Sequence, residues 1–137
     1  YTLDVAEARL ASKRARADGR DLAIDVGGDA VGSIGLTLQG DVYRRTASIT
    51  YYLGEAFWNR GIVTAAVGAF VPHAFRTFDI DRIEARVFAR NVASARVLER
   101  NGFTLEGRFR RQIVKDGAVL DGLLYAILRD EAAERAR

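Results

Sequence analysis

The 137-residue chain has no cysteine and no methionine, and it has one proline, one histidine and one tryptophan (Pro72, His73, Trp58). Without cysteine there is no disulfide framework, no thiolate metal site and no cysteine nucleophile. A single histidine leaves a histidine-rich metal centre or a Ser-His-Asp triad without its parts, so no metal is expected and hydrolase chemistry fits poorly. Long apolar runs are missing too. The longest uncharged stretch, Gly61 to Phe75, is fifteen residues, short of the roughly 20 that span a bilayer. No signal-peptide pattern opens the chain, which favours a cytoplasmic location. The sequence starts at Tyr1 rather than at an initiator methionine, and an upstream segment is suspected.

Lysine is nearly absent: of 21 basic residues only Lys13 and Lys115 are lysine, the rest arginine. Against 18 acidic residues the formal charge is only +3. The excess is scattered, whereas a nucleic-acid footprint concentrates basic charge on one face. What is present is ordinary for a globular domain: 49% hydrophobic and 28% charged residues. The length suits one domain over residues 1–137, since domains most often run about 100–150 residues. A chain of this size can bury roughly two thirds of its unfolded surface without a covalent staple.

Periodicity orders the elements. Leu3 to Ala17 reads as a helix capped by Thr2, with Asp4 and Glu7 early, Lys13, Arg14 and Arg16 late, and Asp18-Gly19 as its stop. Leu22, Ile24 and Val26 alternate with polar or small neighbours as a strand. Gly27-Gly28-Asp29 turns the chain into Ala30–Leu38, and Ala47–Leu53 is a third strand rich in β-formers. Short links make these three an antiparallel meander. A helix follows from Gly61 to Phe78, with a bend or break expected near Gly68–Pro72 because Pro72 lacks a backbone donor. Arg82–Phe88 alternates as a strand, and Val92–Arg100 is a short helix capped by Asn91. Gly102 and Phe103 sit where a Schellman stop pairs Phe103 with Leu98. Phe103–Val114 and Val119–Leu128 form a hairpin around Lys115-Asp116-Gly117, and the polar tail from Arg129 is expected to fray. Meander plus β-α-β crossovers mean a mixed α/β sheet.

Two segments stand out for chemistry. Tyr52-Leu53-Gly54-Glu55-Ala56-Phe57-Trp58-Asn59-Arg60-Gly61 leads from a strand into the long helix, and a helix N-terminus with free N–H groups seats an anion. The second runs from Asn91 through Ser94 to Gly102-Phe103 and Glu106-Gly107. Each alone is equally well a plain turn, a cap and a helix stop. His73, in the middle of a core-packing helix, reads as structural. Arg108 and Arg110 share a strand face, with Arg111 on the other. That run reads either as a solvated edge or as a contact for an acidic acceptor.

Together and in this order, with thirty residues from Gly61 to Asn91, the two blocks resemble the GNAT superfamily of N-acetyltransferases. The resemblance is greatest to its ribosomal-protein N-terminal acetyltransferase (Rim-type) branch. It rests on Trp58 and Gly61, then Asn91, Ser94, Gly102, Phe103, Glu106 and Gly107. It implies a GNAT-like acyl-CoA N-acyltransferase fold lacking the first strand and first helix, with acetyl-CoA as co-substrate. It also implies a primary amine acceptor, on a protein N-terminus or a small molecule, attacking the acetyl group directly. Backbone N–H groups of Arg60, Gly61, Ile62, Val63 and Thr64 would hold the pyrophosphate. Tyr51, Tyr52 and Leu53 would splay from the parallel strand and bond the pantetheine arm together with Asn91. Ser94 would lie near the sulfur and act as the catalytic partner of the leaving thiolate. Family members often form homodimers.

The sequence departs from the family pattern at Val63, usually Gly or Ala; at Ser48, where a glutamate base is common; and at Leu98, where many members carry a tyrosine. The base is left open, with Glu55 and Glu106 near the motifs. Ser48 and Leu98, in place of two common catalytic types, motivate an alternative, a module that binds acyl-CoA without turnover. The arginine clusters motivate a weaker one, a nucleic-acid-associated domain.

Overall fold

The computed structural model describes residues 8–12, by their backbone, and 20–136. Seven strands form one sheet: β1 (Ala8–Ser12), β2 (Asp21–Val26), β3 (Asp29–Leu38), β4 (Thr46–Leu53), β5 (Arg82–Phe88), β6 (Thr104–Lys115) and β7 (Ala118–Leu128). Their spatial order is β1-β2-β3-β4-β5-β7-β6, and among the described residues only the β4–β5 pair is parallel. Among the described residues there are three α-helices: α1 (Ile62–Thr77), α2 (Val92–Arg100) and α3 (Arg129–Arg135).

Alternation makes one face of the sheet the core. Leu22, Ile24, Ile34, Leu36, Ala47, Ile49, Ile83, Ala85 and Ile127 are buried there, against Ile62, Ala66, Val67, Phe70 and Ala74 of α1 and Leu98 of α2. His73 is buried on α1, its ring 5.7 Å from that of Phe70, in the structural position expected of it. The opposite face carries Ser48, Thr50 and Tyr52 of β4 and Arg82, Glu84 and Arg86 of β5.

The Schellman stop forms as its sequence signature predicts. Phe103 N–H reaches the Leu98 carbonyl at 3.0 Å and Gly102 N–H that of Glu99 at 3.1 Å, with Gly102 at φ 84°. Both Leu98 and Phe103 are buried. The Arg135 side chain lies where a Cβ on Gly102 would project.

Four expectations need correction. Ala8–Ser12, read as part of a helix, is a strand paired with β2 from Ala8↔Val26 to Ser12↔Leu22. Its alanine and arginine content favours helix, but the ladder offered by the β2 edge outweighs that propensity. The rest of that expected helix, with its cap and stop, lies outside the described residues. Helix α1 runs unbroken through Pro72. Gly68 is exposed, so the bond lost at Pro72 falls on the solvent side of the helix.

The tail does not fray at Arg129. It forms α3, started by Glu131 accepting the Leu128 N–H at 2.9 Å and anchored by buried Ala132. Arg129 donates to the carbonyls of Ile80 and Phe78. Finally, β6 is not a regular strand across its arginines. Its register to β7 shifts between Phe109 and Ile113, with Arg111 at φ 56°, so simple alternation does not assign their faces.

Replacing Gly102 by alanine forces an L-residue into the left-handed region and against Arg135. A loss of about 1–2 kcal/mol is expected, read as a lower urea midpoint with an unchanged m-value.

Candidate functional site at a parting of two strands

The parallel strands β4 and β5 pair only at Thr46↔Arg82, Ala47↔Ile83 and Ser48↔Glu84. Beyond that point each stays with its other neighbour. Strand β4 follows β3 to Gly32↔Leu53, and β5 follows β7 to Phe88↔Gly122. The two backbones therefore separate over Ile49–Leu53 and Ala85–Phe88, and the β4 edge facing β5 is left without ladder partners. The result is a fork opening toward the carboxyl ends of both strands.

Both following helices begin at the mouth of that fork. Helix α1 is reached through a short 3-10 turn, Glu55–Phe57, and Trp58, whose indole N–H donates to the Leu53 carbonyl at 2.8 Å. Arg60 stacks on Phe57, its guanidinium carbon 5.5 Å from the ring centroid. Gly61 then caps the helix at φ 73°, a left-handed conformation that favours glycine, and no side chain caps the first turn. A Cβ built on Gly61 meets nothing within 4 Å. The first-turn amides of Ile62, Val63 and Thr64 have no carbonyl four residues earlier within the helix, and the positive end of the helix dipole lies beside them.

Helix α2 starts at Asn91, whose Oδ1 accepts the Ser94 N–H at 3.1 Å. One side-chain bond ties β4 to α2: the Tyr51 hydroxyl lies 2.8 Å from Ser94 Oγ. Burial pushes the Tyr51 phenol above the usual tyrosine range, and the bond to Ser94 opposes that shift.

The expected site residues thus fall at one place. Tyr51 is half-buried on Ser94, Tyr52 is exposed on the opposite face, and Leu53 is buried and carries the carbonyl held by Trp58. Ile62 is buried, Val63 packs partly on the core, and the Thr64 carbonyl accepts from Asn101. Asn91 and Ser94 are engaged in the cap and the bridge. Leu98, where a tyrosine is common in the family, is fully buried.

Sequence reasoning missed two features. The Tyr51 hydroxyl was read only for its backbone, because its proximity to Ser94 is a tertiary fact. The polar cluster where the strands part was missed as well. Glu84 lies across from Ser48, accepts from Gln39 at 3.1 Å and pairs with Arg82 at 3.0 Å. Arg82 also holds Glu106 at 2.7 Å. The alternation Arg82/Glu84/Arg86 was the available signal. Glu55 is exposed in its turn. Among the described residues no group of acidic or histidine side chains could hold a metal, and no helix is long and apolar enough to cross a membrane.

A mixed sheet forked between its parallel strands, with two helix N-termini at the mouth, defines an α/β protein. The model of the acetyltransferase (GNAT) domain matches residues 1–104, and the chain belongs to that family. It is 41% identical over 87 residues to Probable N-acetyltransferase YjcK of Bacillus subtilis, a match covering 64% of this chain and 48% of that protein. It is 33% identical over 86 residues to the ribosomal-protein-serine acetyltransferase of Escherichia coli, covering 63% and 48%. The structure of RimJ from Mycobacterium smegmatis, in complex with CoA-disulfide, superimposes with a TM-score of 0.73 at 37% identity, over 89% of this chain and 62% of that one. The matches to YjcK and to the Escherichia coli enzyme thus span about half the length of each.

The bridge from β4 to α2 is testable by itself. Ser94→Ala leaves the half-buried phenol unpaired and should cost about 1 kcal/mol. In a double-mutant cycle with Tyr51→Phe the second change should add little, read by urea unfolding.

Proposed function

We propose that this chain transfers the acetyl group of acetyl-CoA to a primary amine, on a protein N-terminus or a small molecule. The fork is the observation that carries the reading: an unladdered strand edge ending at an uncapped helix start is what a pantetheine arm followed by a pyrophosphate requires. In this reading the N–H groups of Arg60, Gly61, Ile62, Val63 and Thr64 hold the pyrophosphate, with the open space at Gly61 admitting it. Backbone groups of Tyr51, Tyr52 and Leu53, together with Asn91, bond the pantetheine arm. One β4 amide polarises the thioester carbonyl as an oxyanion donor.

Acetyl-CoA would supply the activated acyl group. The neutral amine attacks its carbonyl carbon, the C–N bond forms, and the C–S bond breaks as the thiolate leaves. Ser94 acts as the catalytic partner of that thiolate by donating a hydrogen bond to it. The Tyr51 phenol, which burial keeps protonated, holds Ser94 in place, and the thiolate takes its proton from solvent. The amine's own proton goes to a carboxylate, directly or through water. Glu84 is our assignment for that base, oriented by Gln39 and Arg82. It takes the part that Ser48 leaves vacant.

Calorimetric titration tests the first half. Acetyl-CoA and desulfo-CoA should bind comparably, and Arg60→Glu should weaken both. Absence of binding to folded protein would contradict the reading. For the second half, Glu84→Gln should lower kcat by about 10²-fold or more with acetyl-CoA affinity unchanged. Tight binding with no turnover on any amine would instead favour a non-catalytic acyl-CoA module.

A further inference from the structure

We infer that the acceptor is a peptide or protein N-terminus followed closely by carboxylate side chains, read by a basic surface that β6 and β5 build beside the fork; this rests on the acetyl-transfer reading above. The surface begins with the irregularity in β6. Between Phe109 and Ile113 the strand carries extra residues relative to β7, and the bulge is held in one shape by Asp121. One carboxylate oxygen of Asp121 accepts the Arg111 backbone N–H at 2.8 Å and the other accepts from Arg108 Nε at 2.8 Å. The Arg111 N–H, and then Arg108, hold that carboxyl below its usual range, so it stays ionised and occupied inside the bulge.

Arg110 and Arg111 are left exposed, in no ion pair among the described residues. They line a shallow hollow of about 900 Å³ with Arg108, Phe109, Gln112 and Asp121. Two further cations lie on the adjoining rings: Arg86 stands 5.4 Å from the Phe109 centroid and Lys115 Nζ 5.0 Å from that of Phe88. Arg86 and Lys115 on those rings, with Arg110 and Arg111 exposed at the adjoining bulge, concentrate positive charge along this edge. Of the carboxylates beside it, Asp121 is engaged in the bulge, Glu84, two residues before Arg86 on the same face, is paired with Arg82, and Asp116 is exposed at the hairpin tip.

Register fixes how far this surface lies from the fork. Gly122 pairs with Phe88 on one side and Phe109 on the other. Phe88 ends β5 at the fork mouth, so the bulge is two strand spacings away, about 10 Å. An extended peptide covers that distance in about three residues. An amine seated at the mouth, beside Phe88, would bring the side chains of its second to fourth residues to these cations, its proton passing to Glu84, about 13 Å further down β5, through water. A small amine would not reach them, and a nucleic acid would offer the fork no primary aliphatic amine.

The experiment compares acetyl transfer to two peptides, Ser-Asp-Glu-Glu-Phe-Gly and Ser-Asn-Gln-Gln-Phe-Gly, by wild type and by an Arg110→Glu/Arg111→Glu double variant. Circular dichroism and acetyl-CoA titration confirm that the variant is folded and loaded. Wild type should prefer the acidic peptide by about fivefold or more in kcat/KM, mostly through KM, and the preference should shrink as salt rises. The double variant should lose or invert it while acetyl-CoA affinity is unchanged. Equal use of both peptides by wild type would overturn the acidic-acceptor inference and leave acetyl transfer standing. Single-stranded RNA outcompeting the acidic peptide for this surface, with no peptide preference, would overturn it in favour of a nucleic-acid contact. No acetyl-CoA binding and no turnover would remove the acetyl-transfer reading and this inference with it.

Discussion

Two parallel strands that share three residue pairs and then part organise everything of functional interest here. After Ser48 and Glu84 each strand is kept by an antiparallel neighbour, β3 for β4 and β7 for β5. Each antiparallel ladder is long, and the parallel contact between them is short. Sheet twist carries the two backbones apart without either losing its place in the sheet. An unpaired strand edge in a soluble domain ordinarily invites aggregation. Here it faces β5 across the fork, between two helix starts.

The surroundings follow from the parting. Because both crossovers leave from strand carboxyl ends, α1 and α2 both begin at the mouth, and their dipoles present positive ends to the same space. The first turn of α1 is uncapped, and the loop before it is held by Trp58 on the Leu53 carbonyl and by Arg60 on Phe57. On the far side, Asn91 caps α2 and thereby fixes Ser94, which Tyr51 meets from β4. The Tyr51–Ser94 bond is a tether across an otherwise open gap. It links the two sides of the fork beyond the last β4–β5 pair.

Much of this was legible in the sequence, for identifiable reasons. Period-two alternation in Leu22–Val26, Ala47–Leu53 and Arg82–Phe88, and the apolar rows of the long helix, report burial on one face. The Gly102-Phe103 stop was readable because a left-handed glycine followed by an apolar residue has few uses. Trp58, Gly61, Asn91 and Ser94 were found as a pattern, and the fold brings them to one mouth. What failed depended on partners distant in sequence. Ala8–Ser12 has helical composition but sits at a sheet edge. The polar tail at Arg129 folds because Phe78 and Ile80 offer carbonyls some fifty positions earlier. Alternation could not foresee a bulge at Arg111 stabilised by Asp121 on the next strand. Nor could spacing place the Tyr51 hydroxyl on Ser94, or Glu84 across from Ser48, before the register was known.

The most direct test of the account is where an acyl-CoA touches the chain. Backbone amide resonances can be followed by heteronuclear NMR as acetyl-CoA is added. The account predicts large shifts confined to Tyr51–Leu53, Arg60–Thr64 and Asn91–Ser94, with β2 and α3 unmoved. Saturable shifts centred elsewhere, or a saturated complex in which the Ile62, Val63 and Thr64 amides do not move, would contradict it.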